Sequence, residues 1–353
     1  MHIPDGYLSP ATCAALYAGS APFWYTALQR VKKKLHTRLA PLLSLFAAFS
    51  FVIMMFNLPL PGGTTGHAVG IGIATVVLGP WASMLAISIA IVIQAIFFGD
   101  GGITAIGANC FNMAVAGSFV AYGVYRLLSG RAPISSPRRV VAAGAAGYAA
   151  INVSALLAAI EFGIQPLLYR DATGAPLYCP YPLSIAIPAM MLGHLTIAGL
   201  AELTVSAGVV AFLQGTDPSL LKLTAGAAAD TGAPESAWRA TRPLWAALAA
   251  MMVLSPLGIL AAGAAWGEWA ASDYANPAIR RQIAAVSENQ APPRAAPQGL
   301  ERLSALWTAP FSSYAPPYVR SKGFGYFLSA MFGVGLIILA AVGILAIASK
   351  AAG

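Results

Sequence analysis

Apolar runs of about the length needed to cross a bilayer follow one another along most of this chain, and almost no charge falls inside them. A hydrocarbon core of about 30 Å takes about 20 helical residues, and backbone groups inside it must bond within their own segment. The runs 9–29, 40–58, 68–78, 82–98, 105–128, 140–164, 183–213, 243–265 and 323–349 therefore predict an all-α, polytopic membrane bundle of about nine hydrophobic segments. Of 353 residues only 20 Lys+Arg and 12 Asp+Glu carry charge, 9% where a soluble domain has roughly 25%. That balance excludes a disordered chain, a soluble enzyme and a coiled coil. The run 68–78 is too short to cross by itself. With the break Gly79-Pro80-Trp81 it reads either as one arm of a tight hairpin or as half of a re-entrant pair.

If that run crosses, Arg30, Lys32, Lys33, Lys34, Arg38, Arg126, Arg131, Arg138, Arg139, Lys222, Arg239, Arg242 and Lys350 share one side, which is then cytoplasmic. The net +8 is thus read as topology, not as a nucleic-acid surface. The N-terminus is placed outside the plasma membrane of a bacterium; with no Lys or Arg before Arg30, no signal peptide is read. Three regions follow: a membrane core over 1–214, a polar cytoplasmic linker over 215–242, and a two-helix region over 243–353 whose external loop spans 266–322. Trp24, Trp81, Trp245 and Trp266 at run ends fit interfacial belts. Cys13, Cys110 and Cys179 share no metal or disulfide spacing and read as packing residues.

No G-x-x-x-x-G-K-[ST], G-x-S-x-G or H-E-x-x-H sequence occurs, so no catalytic residues are assigned and any ATP hydrolysis would belong to partner chains. Among the histidines, His36 sits in a basic cytoplasmic stretch and reads as solvated. His2 and His67 are external and flanked by turn residues. The α-amine of Met1, the deprotonated amide and the imidazole Nδ1 of His2 can close fused chelate rings around one metal, and His67 would supply a fourth nitrogen. A square-planar N4 set suits Ni(II) or Cu(II) and suits Zn(II), Mg(II) or Ca(II) poorly. The metal must displace the amine proton, so binding should tighten as pH rises. The bland alternative is an exposed N-terminal imidazole. His194 and Glu202 lie inside the 183–213 run, where ionisable groups are costly. They read as internal hydrogen-bonding residues or, in the rival reading, as the relay of a self-sufficient channel or proton-coupled carrier.

Four ordered motifs now carry a resemblance: Met1-His2-Ile3-Pro4-Asp5-Gly6-Tyr7-Leu8-Ser9-Pro10; Gly62-Gly63-Thr64-Thr65-Gly66-His67; Gln94 through Thr104, with Gly99-Asp100-Gly101-Gly102; and Gly107-Ala108-Asn109-Cys110-Phe111-Asn112-Met113. Over residues 1–213 the chain resembles the NikM/CbiM family, nickel- or cobalt-specific substrate-binding membrane subunits of energy-coupling factor transporters. The resemblance implies Met1, His2 and His67 as metal ligands; Asp5, Asp100 and Asn109 are read from their turn-rich surroundings as loop or ligand support. It also implies a transmembrane coupling protein and two ATPases as partners, and transported Ni(II) or Co(II) as bound ligand with no permanent cofactor. Pro4-Asp5-Gly6 resembles the nickel members more than the cobalt members. Pro297-Gln298-Gly299-Leu300-Glu301 is similar to the Pro-Asp-Gly-Leu-Glu signature of the two-span accessory subunit, with Gln298 in place of the acid. A fused accessory region that helps load or release metal is the resulting expectation.

Overall fold

The computed structural model describes residues 1–32, 39–225, 237–261 and 263–350. His36 with Lys33, Lys34 and Arg38, and the linker residues Asp230, Pro234 and Glu235, lie outside the described residues. The chain runs through α1 (Pro10–Lys32), α2 (Leu39–Met54), an antiparallel pair β1 (Leu58–Leu60) and β2 (Thr64–Gly66), and α3 (Ile71–Ile93). It continues through α4 (Ile106–Asn109), α5 (Gly117–Ser129), α6 (Pro137–Leu168), α7 (Leu183–Gly193), α8 (Gly199–Thr216) and α9 (Lys222–Ala225). Then come α10 (Ala237–Leu254), α11 (Pro277–Ala285), α12 (Gln298–Ser304) and α13 (Lys322–Lys350). The fold is all-α, as expected, and among the described residues five helical stretches are long and apolar enough to cross a membrane.

One of those stretches, Ile71–Phe98, is not a straight rod. At Gly79 the backbone turns to φ 74, ψ 167, a conformation open essentially to glycine alone, and Pro80 restarts the helix with its φ already set. Thr75 and Ser83 hydroxyls lie 3.0 Å apart, whereas eight residues of straight helix would separate them by about 12 Å. α3 therefore folds back on itself at Gly79, the turn that both readings of this break require. Its turn lies where Arg30 at the end of α1 stacks 4.4 Å from the Trp81 ring. Arm 80–93 returns beside α1, with Trp24 Nε1 donating to Ser88 Oγ at 3.1 Å.

Arm 71–78 is only about 12 Å long, so it starts in the bundle interior. The exposed N–H groups of a helix start would be costly there. Glu202, fully buried on α8, accepts from the N–H of Val69 and of Gly70 at 2.8 Å each and from the N–H of Gly72 at 3.1 Å. The residues of this cap follow His67 directly, so the carboxylate on α8 sets where the β1–β2 segment enters the bundle.

The cation-rich end is tied by side chains on backbone carbonyls. Ser136 caps α6 by accepting from the N–H of Arg138, ahead of Pro137 at the first position. Buried Arg139 donates to Ala132 O at 2.9 and 2.7 Å and to the Tyr125 hydroxyl at 3.0 Å, which closes the α5–α6 turn. Arg126 donates to Thr224 O at 3.0 Å. The polar stretch read as a linker is helical over its first part, since Pro218–Leu221 and α9 pack with the hydroxyl of Thr224 on Val76 O.

The other difference lies in 266–322. Read as an external loop, it carries α11, α12 and short 3-10 turns, because its aromatic residues bury instead of facing water: Trp266, Trp269, Tyr274 and Tyr314 are all core residues. α10 also ends sooner than the apolar run, giving way to a 3-10 turn at Ser255–Leu260 where Pro256 removes a donor. Replacing Glu202 by Ala leaves three interior N–H groups without an acceptor, each costing about 1–3 kcal/mol. The expected result is a sharply lower thermal unfolding midpoint in detergent, with Glu202→Gln intermediate; an unchanged midpoint for Glu202→Ala would show that the cap does not hold the arm.

Candidate metal centre

The first six residues thread a mostly buried path, and the loop opposite holds the main chain of Ile3 and the carboxylate of Asp5. Asn109 holds Ile3 from both sides, accepting from its N–H at 2.8 Å and donating to its carbonyl at 3.1 Å, and Gly102 N–H adds a second bond to that carbonyl at 2.9 Å. Asp5 accepts from the N–H of Ile103 at 3.1 Å, from the N–H of Thr104 at 2.7 Å and from the Thr104 hydroxyl. Asn109 and Asp5 thus fix the N-terminal segment to the loop 99–105. Gly6 (φ 87) completes the turn, and a Cβ there would stand 2.5 Å from Leu300 Cα, so this glycine is needed for backbone to meet α12.

That loop is framed by two π-helical turns, Gln94–Phe98 and Cys110–Ala116. Widened turns of this kind recur at functional sites because they re-aim residues and leave carbonyls free. Two of the freed carbonyls are taken by the C-terminal region: Trp307 Nε1 donates to Ile96 O at 2.8 Å and Phe311 N–H donates to Phe97 O at 2.9 Å. Ser313 and Tyr314 then adopt left-handed φ of 54 and 57, at a cost of about 1–3 kcal/mol each. Tyr314 stacks on Phe98 and its hydroxyl donates to Asp100 Oδ2 at 2.5 Å. Burial, and next the Asp100 charge, hold that phenol well above its ordinary pKa, so it stays a donor.

The structure brings Met1, His2 and His67 together. The His2 and His67 ring centroids are 5.2 Å apart, and both residues are buried. His67 Nδ1 lies 3.1 Å from Ala68 O, which makes Nδ1 the protonated nitrogen and leaves Nε2 with its lone pair. Neither nitrogen of His2 has a hydrogen-bond partner although His2 is completely buried. Asp100 Oδ1, at 3.6 Å from His2 Nδ1, is too far for a hydrogen bond. Burial and then the neighbouring α-ammonium lower the His2 pKa from 6.5 to about 4; burial and then His2 lower that of His67 to about 3. Both imidazoles are neutral at neutral pH, the state a metal needs.

Two contributors came from beyond any local reading. The α-ammonium of Met1 donates to Glu268 Oε1 at 2.9 Å, and Tyr314 fixes Asp100; both residues lie in the stretch taken for a loop. A cavity of about 320 Å³ opens beside the histidines, lined by Asn57, Thr65, Asp100, Glu268 and Tyr314. His194 and Glu202 are not part of this site. His194 Nδ1 bonds Met190 O at 2.8 Å, while Glu202 is committed to the start of α3. Glu161 accepts from Asn112 Nδ2 at 2.8 Å, away from the histidines. Among the described residues no three His, Cys, Asp or Glu side chains group to hold a metal. A set built from two imidazoles and two main-chain nitrogens needs no such group.

With this geometry stand the likenesses to known proteins. Residues 2–220 match the CbiM family, described as a cobalt uptake substrate-specific transmembrane region. The chain belongs to the CbiM family. Residues 241–350 match the PDGLE domain, which falls on the helices that cover the N-terminal segment. A fused nickel transport protein NikMN of Rhodobacter capsulatus is 57% identical over 96% of this chain and 95% of its own length. A probable fused nickel transport protein LarMN of Lactiplantibacillus plantarum is 42% identical over 96% of each. A crystal structure of a truncated transition metal transporter matches with TM-score 0.57 and 49% identity, over 61% of this chain and 99% of that one. Membrane helices and membership of a transport family are thus established together.

Within this CbiM region, Asn109→Ala removes both side-chain bonds to Ile3. Loss of such a ligand-supporting partner typically costs tenfold to a hundredfold in metal affinity. Titration of purified Asn109→Ala with Ni(II) or Co(II) is expected to show a weakening of roughly that size. A second expectation concerns the metal-free protein. The folded histidines titrate at about 4 and about 3, but near 6.5 once unfolded, so the unfolded chain binds more protons across that interval. Their contribution to stability is complete above pH 6.5 and is lost as pH falls toward 4. Thermal midpoints measured against pH should decline over that window, and less steeply in His67→Ala.

Proposed function

We propose that this membrane transport protein is the substrate-specific subunit of an ATP-driven energy-coupling factor transporter, and that it captures Ni(II) from the external side of a bacterial plasma membrane for import. The observation that carries this reading is the buried His2 imidazole with both nitrogens unpartnered, facing His67 and following the Met1 amine. An orphaned polar side chain at that depth is costly unless a ligand completes it.

The chemistry is coordination with proton release. The amine of Met1 gives up one proton and the amide of His2 another, both to solvent. The two imidazoles enter neutral, through Nδ1 of His2 and Nε2 of His67. Four nitrogens in a plane favour Ni(II), and the nickel named in the relatives from Rhodobacter capsulatus and Lactiplantibacillus plantarum points the same way. Co(II) accepts the same donors, in keeping with the cobalt of the family description. Copper would bind this set more tightly still, so its exclusion must rest on scarcity or delivery.

A separate transmembrane coupling protein and two ATPases would then move the loaded subunit to release metal inside. A self-sufficient carrier is disfavoured because Glu202 is engaged by three N–H donors and His194 by Met190 O, and among the described residues no hydrogen bond joins the two groups. The C-terminal region, lying over the first residues, is placed to help load the site.

The deciding experiment quantifies nickel, cobalt and copper on the purified protein with native Met1, beside a version carrying two extra residues before Met1. Loss of one stoichiometric metal in the extended protein is the expected outcome, and the metal lost identifies the cargo. Binding in the native protein should strengthen as pH rises, since protons compete for the same nitrogens. Equal binding by both versions would sink the N-terminal chelate.

A further inference from the structure

Glu268 stands 267 positions from Met1 in sequence, yet its carboxylate is the partner of the α-nitrogen. It is not a mobile surface side chain that happens to reach the amine. Glu268 N–H closes a turn onto Ala265 O at 3.0 Å, and the tryptophans on either side of that turn are anchored. Trp266 Nε1 donates to Ser287 Oγ at 3.1 Å, and its ring packs edge-on against Phe162 and Trp269 with centroids 5.8 Å away. Trp269 O accepts from the Tyr7 hydroxyl at 2.9 Å, so the turn is also bonded to the N-terminal segment. The carboxylate is therefore aimed by a packed aromatic frame. It faces the cavity that also meets His67 and Asp100.

We propose that Glu268 is a positioning residue of the metal centre: its carboxylate holds the Met1 nitrogen where the chelate must close, and keeps an N–H of that nitrogen once the metal is bound. The inference rests on the amine ligation given above. A chain terminus is otherwise the part of a fold most prone to fray, and ordering it during binding would subtract from affinity. Asn109 fixes Ile3 and the loop fixes Asp5, but neither reaches the first residue. The remaining N–H groups of a coordinated amine point away from the metal, and the carboxylate of Glu268 is the acceptor beside them. The bound centre also carries a single positive charge once the amide is deprotonated, and a fixed carboxylate beside it offsets that charge. One consequence is that the C-terminal region contributes a residue to the site it covers.

The test uses the full-length protein with native Met1, titrated with NiCl₂. Glu268→Ala is expected to bind Ni(II) roughly tenfold to a hundredfold more weakly, and Glu268→Gln, which keeps an acceptor of the same shape, to recover part of that loss. The ligand-field absorption of the saturated protein should be the same in all three, because the donor atoms do not change. The exposed Glu288→Gln serves as a control with native affinity. Native affinity in Glu268→Ala would overturn the inference, as would an altered spectrum, which would make Glu268 a ligand. A metal-free thermal midpoint for Glu268→Gln equal to the native one separates positioning from folding. The extended N-terminus distinguishes the two levels of the argument. If extension leaves binding intact, the amine chelate itself fails; if extension abolishes binding while Glu268→Ala leaves it unchanged, only the role of Glu268 falls.

Discussion

The bond pair between Asn109 and Ile3 is the interaction on which the arrangement at this end of the protein depends. A terminal strand has no sheet to join here, so its main-chain groups would be unpaired in a dry interior. One amide side chain supplies both missing partners, and Asp5 repeats the favour in reverse by accepting from the opposite loop. With those residues in place, His2 lies beside His67. The burial that makes the imidazoles neutral is thus a product of hydrogen bonds made by their neighbours, not of the histidines themselves.

A second constraint works from the opposite partner. His67 leads into a helix arm that begins in the bundle interior, and Glu202 on α8 makes that start tolerable. The acid read in the sequence as an internal hydrogen-bonding residue, with a proton relay as the rival reading, is a structural cap. Its position nonetheless gives α8 a mechanical link to the segment bearing His67, since a shift of the helix would carry three main-chain bonds with it.

The helical class and most segment boundaries were legible because apolar periodicity and Pro/Gly breaks are local signals; the Pro80 break is an instance. How sharply the two arms fold back was not, because it turns on one backbone angle at Gly79. At the site, His2 and His67 could be paired on chemical grounds and by resemblance. Asn109 and Asp5 could be assigned to loop support because each sits in a turn-rich motif. Glu268 and Tyr314 escaped notice since each acts on a residue more than 200 positions away and lies in a Pro- and Ala-rich stretch that reads as a loop. The only local hint was aromatic: tryptophans at 266 and 269 and tyrosines at 274 and 314 are more than a solvent-exposed connection would carry. Those rings bury and turn the stretch into a cover.

The contact between Met1 and Glu268 also has a consequence for how the protein is made. Synthesis proceeds from N- to C-terminus, so Met1 waits while the 267 positions that separate it from Glu268 are added. Long-range closures of this kind are slow to form, because the intervening chain must be ordered first. The membrane helices can be inserted and packed one after another, but the α-nitrogen reaches its final neighbour only when the aromatic turn emerges. The α-nitrogen of Met1 is thus among the last groups at this end of the molecule to settle, however early the helix that follows it is packed.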